Sequence, residues 1–127
     1  MAASKNIPVH AFLALKAKDS QLESFSEHIR TIAKEVRTSL YSSKAPLPDF
    51  HLESEFHCGG YARFPDSLRD FMLALEAQLQ IPLDPVYTAK LFWGIAQKAE
   101  RGEWPKGSRI LVFHTGGLQG RCGFDLG

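Results

Sequence analysis

Cysteine is scarce in this chain: 127 residues carry two, Cys58 and Cys122. Two thiols make no disulfide framework of the kind that staples a small secreted domain, and they suit a reducing, cytoplasmic setting. Charge of one sign is also missing. A net charge of +1 gives no basic stripe for a nucleic acid and no attraction to an anionic membrane surface. No uninterrupted apolar run approaches the roughly 20 residues that a membrane-spanning helix requires. The opening Met1-Ala2-Ala3-Ser4-Lys5-Asn6 has no long apolar stretch behind it, which excludes a secretory signal. The sequence has no Cys-x-x-Cys pair and no His-Glu-x-x-His segment, the spacings that mark common zinc sites. It shows no internal repeat and no low-complexity tract.

What is present is an ordinary globular composition, 44% apolar and 23% charged, at a length that suits one domain over residues 1–127. Ile7 to Leu15 is mostly apolar and reads as a buried strand. Ser20 and Glu23 have capping-box spacing. After them Leu22, Phe25, Ile29, Ile32, Val36 and Leu40 recur at steps of three and four, one apolar face of a helix. Ser42 to Pro48 reads as a loop, and His51 to Phe56 as a weakly alternating strand that Gly59-Gly60 ends. A second helix is expected from Pro65-Asp66, with Leu68, Phe71, Met72, Leu75 and Leu79 as its apolar face. Pro82 and Pro85 separate it from a third, Val86 to Arg101, striped by Leu91, Ile95 and Ala99. Arg109 to Phe113 reads as a last short strand. Strand, helix, strand, helix, helix, strand is the order of an α/β fold with a parallel sheet and flanking helices. Three strands make a small sheet, and the helices leave part of it uncovered, so part of the core is expected to be missing.

In such sheets ligands bind beyond the carboxyl ends of the strands. Gly59-Gly60-Tyr61 follows the second expected strand and Thr115-Gly116-Gly117 the third. Tyr87-Thr88 opens a helix, where amides and dipole point at a ligand. Three loops are therefore expected to meet at one site. Tyr87 offers a flat face for stacking on a heteroaromatic ring. Thr88 and Thr115 offer hydroxyls that can donate to or accept from a ring nitrogen. Tyr61 offers a phenol for proton transfer, given a lowered pKa. Each signal also has a plainer reading: Gly116-Gly117 as a turn, the tyrosines as packing residues, Thr88 as a helix cap.

The segments Gly59-Gly60-Tyr61-Ala62, Ile81-Pro82-Leu83-Asp84-Pro85-Val86-Tyr87-Thr88 and His114-Thr115-Gly116-Gly117-Leu118-Gln119-Gly120 occur in that order. Together they make Phe56 to Arg121 resemble the C-terminal part of the 1-aminocyclopropane-1-carboxylate deaminase and D-cysteine desulfhydrase family; the resemblance is fainter from Ile7 to Leu40. It implies a partial three-layer sandwich of the tryptophan-synthase-β type and a pyridoxal-phosphate cofactor. It implies Tyr87 against the cofactor ring, Thr88 and Thr115 near the pyridine nitrogen beside Gly116 and Gly117, and Tyr61 as the catalytic phenol near a small amino-acid substrate. Deaminases proper carry glutamate where this chain has Thr88. A hydroxyl stabilises a protonated pyridinium far less than a carboxylate does, which tilts the reading toward β-elimination, with D-cysteine as a candidate substrate.

The departures weigh as much. Family members are longer and carry, in an N-terminal half, a Schiff-base lysine and a glycine- and serine-rich phosphate loop. Neither is recognisable here. Lys5 stands at the terminus, and Lys16, Lys18, Lys34, Lys44, Lys90, Lys98 and Lys106 read as solvated surface lysines. The alternative is then a catalytically inactive C-terminal fragment or interaction module. It would pair with a lysine-bearing half, with itself as a homo-oligomer, or with a longer relative. A metal site at His51, His57, Cys58 and His114 is disfavoured, because adjacent strand residues point to opposite faces. Cys58 reads equally as a small buried hydrophobe. Glu53 and Glu55 read as a solvated strand edge.

Overall fold

The computed structural model describes residues 6–40 and 46–126. The elements are β1 (Val9–Phe12), α1 (Asp19–Leu40), β2 (Phe50–Glu53), α2 (Asp66–Leu79), α3 (Thr88–Glu100) and a closing 3-10 helix (Leu118–Gly123). Packing divides them into two compact units, one of residues 6–11, 17–40 and 46–53, the other of residues 12–16 and 54–126.

In the first unit β1 and β2 pair as a parallel two-stranded sheet, opened by the Val9 amide donating to the Asp49 carbonyl at 2.8 Å. The crossover between them is α1, as a parallel pair requires. The expected capping box is displaced by two residues. The Lys18 carbonyl accepts from Gln21 and Leu22, and the Lys18 amide donates to Gln21 Oε1 at 2.9 Å. Gln21 thus reaches back to the first turn, and Ser20 lies inside the helix. No residue of α1 is buried, and Ile32 and Val36 on its apolar face are each 46% exposed. That face and residues 46–50 line an apolar groove of about 500 Å³, with Ile29, Ala33, Leu47 and Phe50 in its wall. Glu53 is no solvated edge: its carboxylate meets His10 Nδ1 at 2.6 Å, and the His10 ring stacks on His51. The expected loop keeps its irregular course at residues 46–48; the part at Ser42 to Lys44 lies outside the described residues.

The second unit holds the densest packing. Leu68 and Met72 of α2 meet Leu83 and Ala89 in a fully buried cluster, with Phe71, Phe92 and Trp93 against it. Pro65 precedes α2 in extended conformation, and Gln80 ends it in the left-handed region, its amide donating to the Glu76 carbonyl. Pro82 then bars any continuation. Leu79, expected on the buried face, is 42% exposed. Along α3 the buried side is Thr88, Ala89, Lys90 and Gly94 rather than the expected Leu91, Ile95 and Ala99. The reason is Gly94: a β-carbon there would lie 2.4 Å from two ring atoms of Phe12. Phe12 and Phe56, ring centroids 5.7 Å apart, occupy the space that a side chain would take.

The third strand does not form. Arg109 to Phe113 pairs with no strand among the described residues, and Leu111 and Phe113 are 80% and 73% exposed. β-rich residues make a strand only where a neighbour satisfies their backbone. The α/β class holds, with a sheet of two strands where three were expected.

Gly94→Ala tests this packing. Alanine gains about 1 kcal/mol of helix propensity. Overpacking against a ring already in contact costs about 1–3 kcal/mol. A net loss is expected, read as a lower thermal midpoint, and a raised midpoint would contradict the Phe12 contact.

Candidate functional site

The segment Leu83–Thr88 is organised by one buried carboxylate. Asp84 is 0% exposed. Its Oδ1 accepts from the amides of Val86 at 2.9 Å and Tyr87 at 2.7 Å. Its Oδ2 accepts from the Thr88 amide at 2.9 Å and the Thr88 hydroxyl at 2.7 Å. The Asp84 amide donates to that hydroxyl at 2.7 Å, and the Ala89 amide to the Asp84 carbonyl at 3.0 Å. A carboxylate that accepts several N–H donors at a helix start stabilises the first turn of the helix.

This geometry corrects one expectation. The first amides of α3 point at Asp84, so they are not available to an outside anion. It also places Thr88, which is 1% exposed with its hydroxyl both donating and accepting inside the loop. Thr88 lies behind Tyr87 rather than on the open face.

The glycine bend comes to the same carboxylate. Gly117 has φ +85°, and a β-carbon there would stand 3.2 Å from Asp84 Oδ2. Only glycine fits both the left-handed backbone and the approach. Two further contacts fix the bend. His114 Nδ1 accepts from the Gly116 amide at 3.1 Å, so the proton of the neutral ring is on Nε2, donated to the Pro82 carbonyl at 2.9 Å. Arg121 donates to Glu76 and, at 2.6 Å, to the Leu83 carbonyl. Glu76 also accepts from the Leu83 amide at 2.6 Å. Thr115, two residues before Gly117, is exposed.

The third loop arrives through the tyrosines. The Tyr61 and Tyr87 hydroxyls are 3.1 Å apart and their rings meet edge to face at 6.2 Å. Both are open to solvent, at 59% and 50% exposure. The Tyr87 phenol is held above its ordinary value, first by the hydrogen bond it shares with Tyr61, then by the Tyr61 charge, slight burial and Asp84. The three loops expected to converge do so: Tyr61 meets Tyr87, and Tyr87 and Gly117 share Asp84.

Sequence reasoning missed Lys90. It is 1% exposed, and its Nζ donates to the Gly60 carbonyl at 2.7 Å and the Ala14 carbonyl at 3.3 Å. Burial lowers its pKa, against the opposing pull of Cys58 and Asp84. The signal was the position: Lys90 follows Ala89 in the first turn of α3, on the side of Gly94. Of the other described lysines, Lys16, Lys18, Lys34 and Lys106 are exposed and Lys98 is half-buried; Lys5 and Lys44 lie outside the described residues.

The remaining candidates separate. Cys58 packs on the core cluster, and burial pushes its thiol up, the reverse of what a reactive thiolate needs. His57 and Cys58 stand in a turn rather than a strand, and the Gly59 amide donates to His57 Nδ1. Burial lowers the pKa of His57, helped by Lys16 and Lys90. Among the described residues no group of three or more His, Cys, Asp or Glu is placed to hold a metal ion. No described helix is long and apolar enough to cross a membrane.

Asp84→Asn tests the hub. An amide nitrogen cannot accept, so donors on one side of the loop lose their partner. Each buried group left unsatisfied costs about 1–3 kcal/mol. Destabilisation by about 2–4 kcal/mol is expected in chemical denaturation. Faster hydrogen exchange at the amides of residues 86–88 should accompany it. Wild-type exchange there would refute the assignment.

No protein-family model matches the chain. It is similar to archaeal proteins named "Putative 1-aminocyclopropane-1-carboxylate deaminase". With the one from Pyrococcus horikoshii it shares 35% identity over 66 residues, 52% of this chain and 20% of the relative. With that from Pyrococcus furiosus identity is 33% over the same shares. With that from Pyrococcus abyssi it is 26% over 80% of this chain and 29% of the relative. The chain thus spans between a fifth and a third of the length of these relatives. A crystal structure of an ACC deaminase homologue superposes with a TM-score of 0.65 at 23% identity, over 88% of this chain and 32% of the other. The chain therefore shares its fold with one part of that homologue and has sequence relatives that carry the deaminase name.

Proposed function

We propose that this chain supplies the cofactor-ring side of a pyridoxal-phosphate pocket in a deaminase or desulfhydrase acting on a small amino acid. The observation that carries this reading is the exposed pair Tyr61 and Tyr87, hydroxyls 3.1 Å apart. It stands beside a glycine bend tied to the same buried aspartate. Similarity to proteins bearing the deaminase name supports it.

The residues present fit one side of such a cofactor. Tyr87 offers an open aromatic face, and Thr115 an exposed hydroxyl for a ring nitrogen, with Gly116 and Gly117 leaving room for close approach. Thr88, buried behind Tyr87, fixes the loop that carries it. The phosphate does not fit here, because Asp84 occupies the amides that open α3. When bound, pyridoxal phosphate supplies an electron sink for the carbanion formed at the α-carbon of an amino acid. Tyr61 would hold or pass a proton at its phenol oxygen, with Tyr87 as the neighbour that accepts or donates. Lys90 is turned inward to two carbonyls. In this reading the Schiff-base lysine and the phosphate loop come from a complementary half, within a partial three-layer sandwich of the tryptophan-synthase-β type. A hydroxyl such as that of Thr115, in place of a carboxylate at the ring nitrogen, favours β-elimination, with D-cysteine as a candidate substrate.

A second reading has its own observation. Leu111 and Phe113 are largely exposed, as are Ile32, Val36 and Leu40 of α1. Such surface suits a fragment or interaction module that needs a covering partner.

Equilibrium dialysis with pyridoxal 5′-phosphate tests the pocket. Tyr87→Ala is expected to weaken binding about tenfold, the value of one lost stacking contact. Unchanged binding in both Tyr87→Ala and Thr115→Ala would refute it. Light scattering addresses the second reading: self-association relieved by an added lysine-bearing half is expected, and a monomer indifferent to that half would count against it.

A further inference from the structure

Lys90 is a buried cation that the proposed chemistry leaves unused. Its ammonium meets two backbone carbonyls, Gly60 at 2.7 Å and Ala14 at 3.3 Å, and the side chain is 1% exposed. The loop that it holds is strained. Cys58 and Ala62 have φ +52° and +55°, a region that side-chain-bearing residues rarely adopt, with Gly59 and Gly60 between them at +100° and +131°. Such backbone persists only where its surroundings over-determine it. The loop's own bonds are few: Gly60 amide to His57 carbonyl at 3.2 Å, Arg63 amide to Gly60 carbonyl at 3.1 Å, Gly59 amide to His57 Nδ1, and the Cys58 thiol to the Phe56 carbonyl. The Gly60 carbonyl therefore takes two donors, one of them the Lys90 ammonium, and the next residue is Tyr61.

We propose that Lys90 is a positioning residue: by gripping the Gly60 carbonyl from α3, it sets the strained loop so that the Tyr61 hydroxyl meets that of Tyr87. Both ends of the link start from the same helix turn. Tyr87 lies just before α3 and Lys90 on its first turn, so the helix that presents one phenol also fixes the other. A buried ammonium is costly unless its donors are satisfied, and the backbone carbonyls of Gly60 and Ala14 take two of its three without neutralising the charge. Burial lowers the Lys90 pKa, and the nearby Asp84 charge opposes that by favouring the protonated form. The bearing of this grip on catalysis rests on the pocket reading above; the grip itself does not.

Tyrosine labelled with ¹³C at Cζ reports each phenol's titration in the whole chain, without cofactor. Tyr87→Phe assigns the Tyr87 signal. Removing the Tyr61 hydroxyl in Tyr61→Phe is expected to lower the titration midpoint of Tyr87, since the bond that the Tyr87 hydroxyl donates to Tyr61 is the first cause of its raised value. Lys90→Met is expected to lower it to the same midpoint, and Lys90→Met with Tyr61→Phe to lower it no further. A folded Lys90→Met protein in which Tyr87 titrates as in the wild type overturns the proposal. Should Lys90→Met not fold, Lys90→Gln, whose uncharged amide group is of shorter reach, is judged by the same midpoint. Failure of pyridoxal phosphate to bind the wild type would remove the functional reading and leave this result untouched.

Discussion

The buried carboxylate of Asp84 organises the second unit. Asp84 accepts three amides and a hydroxyl, which accounts for both of its oxygens. A buried charge is tolerable only when it is this fully satisfied. Its consequences reach in two directions. Toward the core, it starts α3 at Thr88 and so sets which side of that helix packs on Leu68 and Met72. Toward the surface, it fixes Tyr87 by its amide and admits Gly117 to within contact. The open face is built on groups that are themselves closed to solvent.

The same arrangement divides labour among residues of similar chemistry. Thr88 and Thr115 are both threonines in expected binding segments, yet one is consumed by the loop and the other is exposed. Lys90 and Lys106 are both lysines, yet one grips a strained turn and the other faces water. In each pair the difference is set by what lies opposite in space. Glu76 and Arg121 complete the frame from the far side, joining the end of α2 to the closing 3-10 helix through Leu83. The backbone of Leu83-Asp84 is therefore held from both sides before any ligand arrives.

Helix positions were readable because capping and periodicity are local. Pro65-Asp66 marks the start of α2, and Leu68, Phe71, Met72 and Leu75 mark its buried side. The three motif loops were readable as well, since glycine pairs and an aromatic before a helix are local signals. Facing directions were harder. The Leu91, Ile95 and Ala99 stripe of α3 lost to Gly94, because only a glycine allows the Phe12 ring onto the helix backbone. Arg109 to Phe113 has strand composition and forms no strand, because pairing is a property of two segments and composition of one.

The amino-acid order alone settled the α/β class, the three long helices and the loops that carry Tyr61, Tyr87 and Thr115. It did so because turn chemistry and helix periodicity act over a few residues. Tertiary structure alone decided that Lys90 is buried against the Gly60 and Ala14 carbonyls. That outcome depends on groups 30 or more residues apart meeting at hydrogen-bond distance, as Lys90 and Gly60 do, and no local pattern encodes such a meeting.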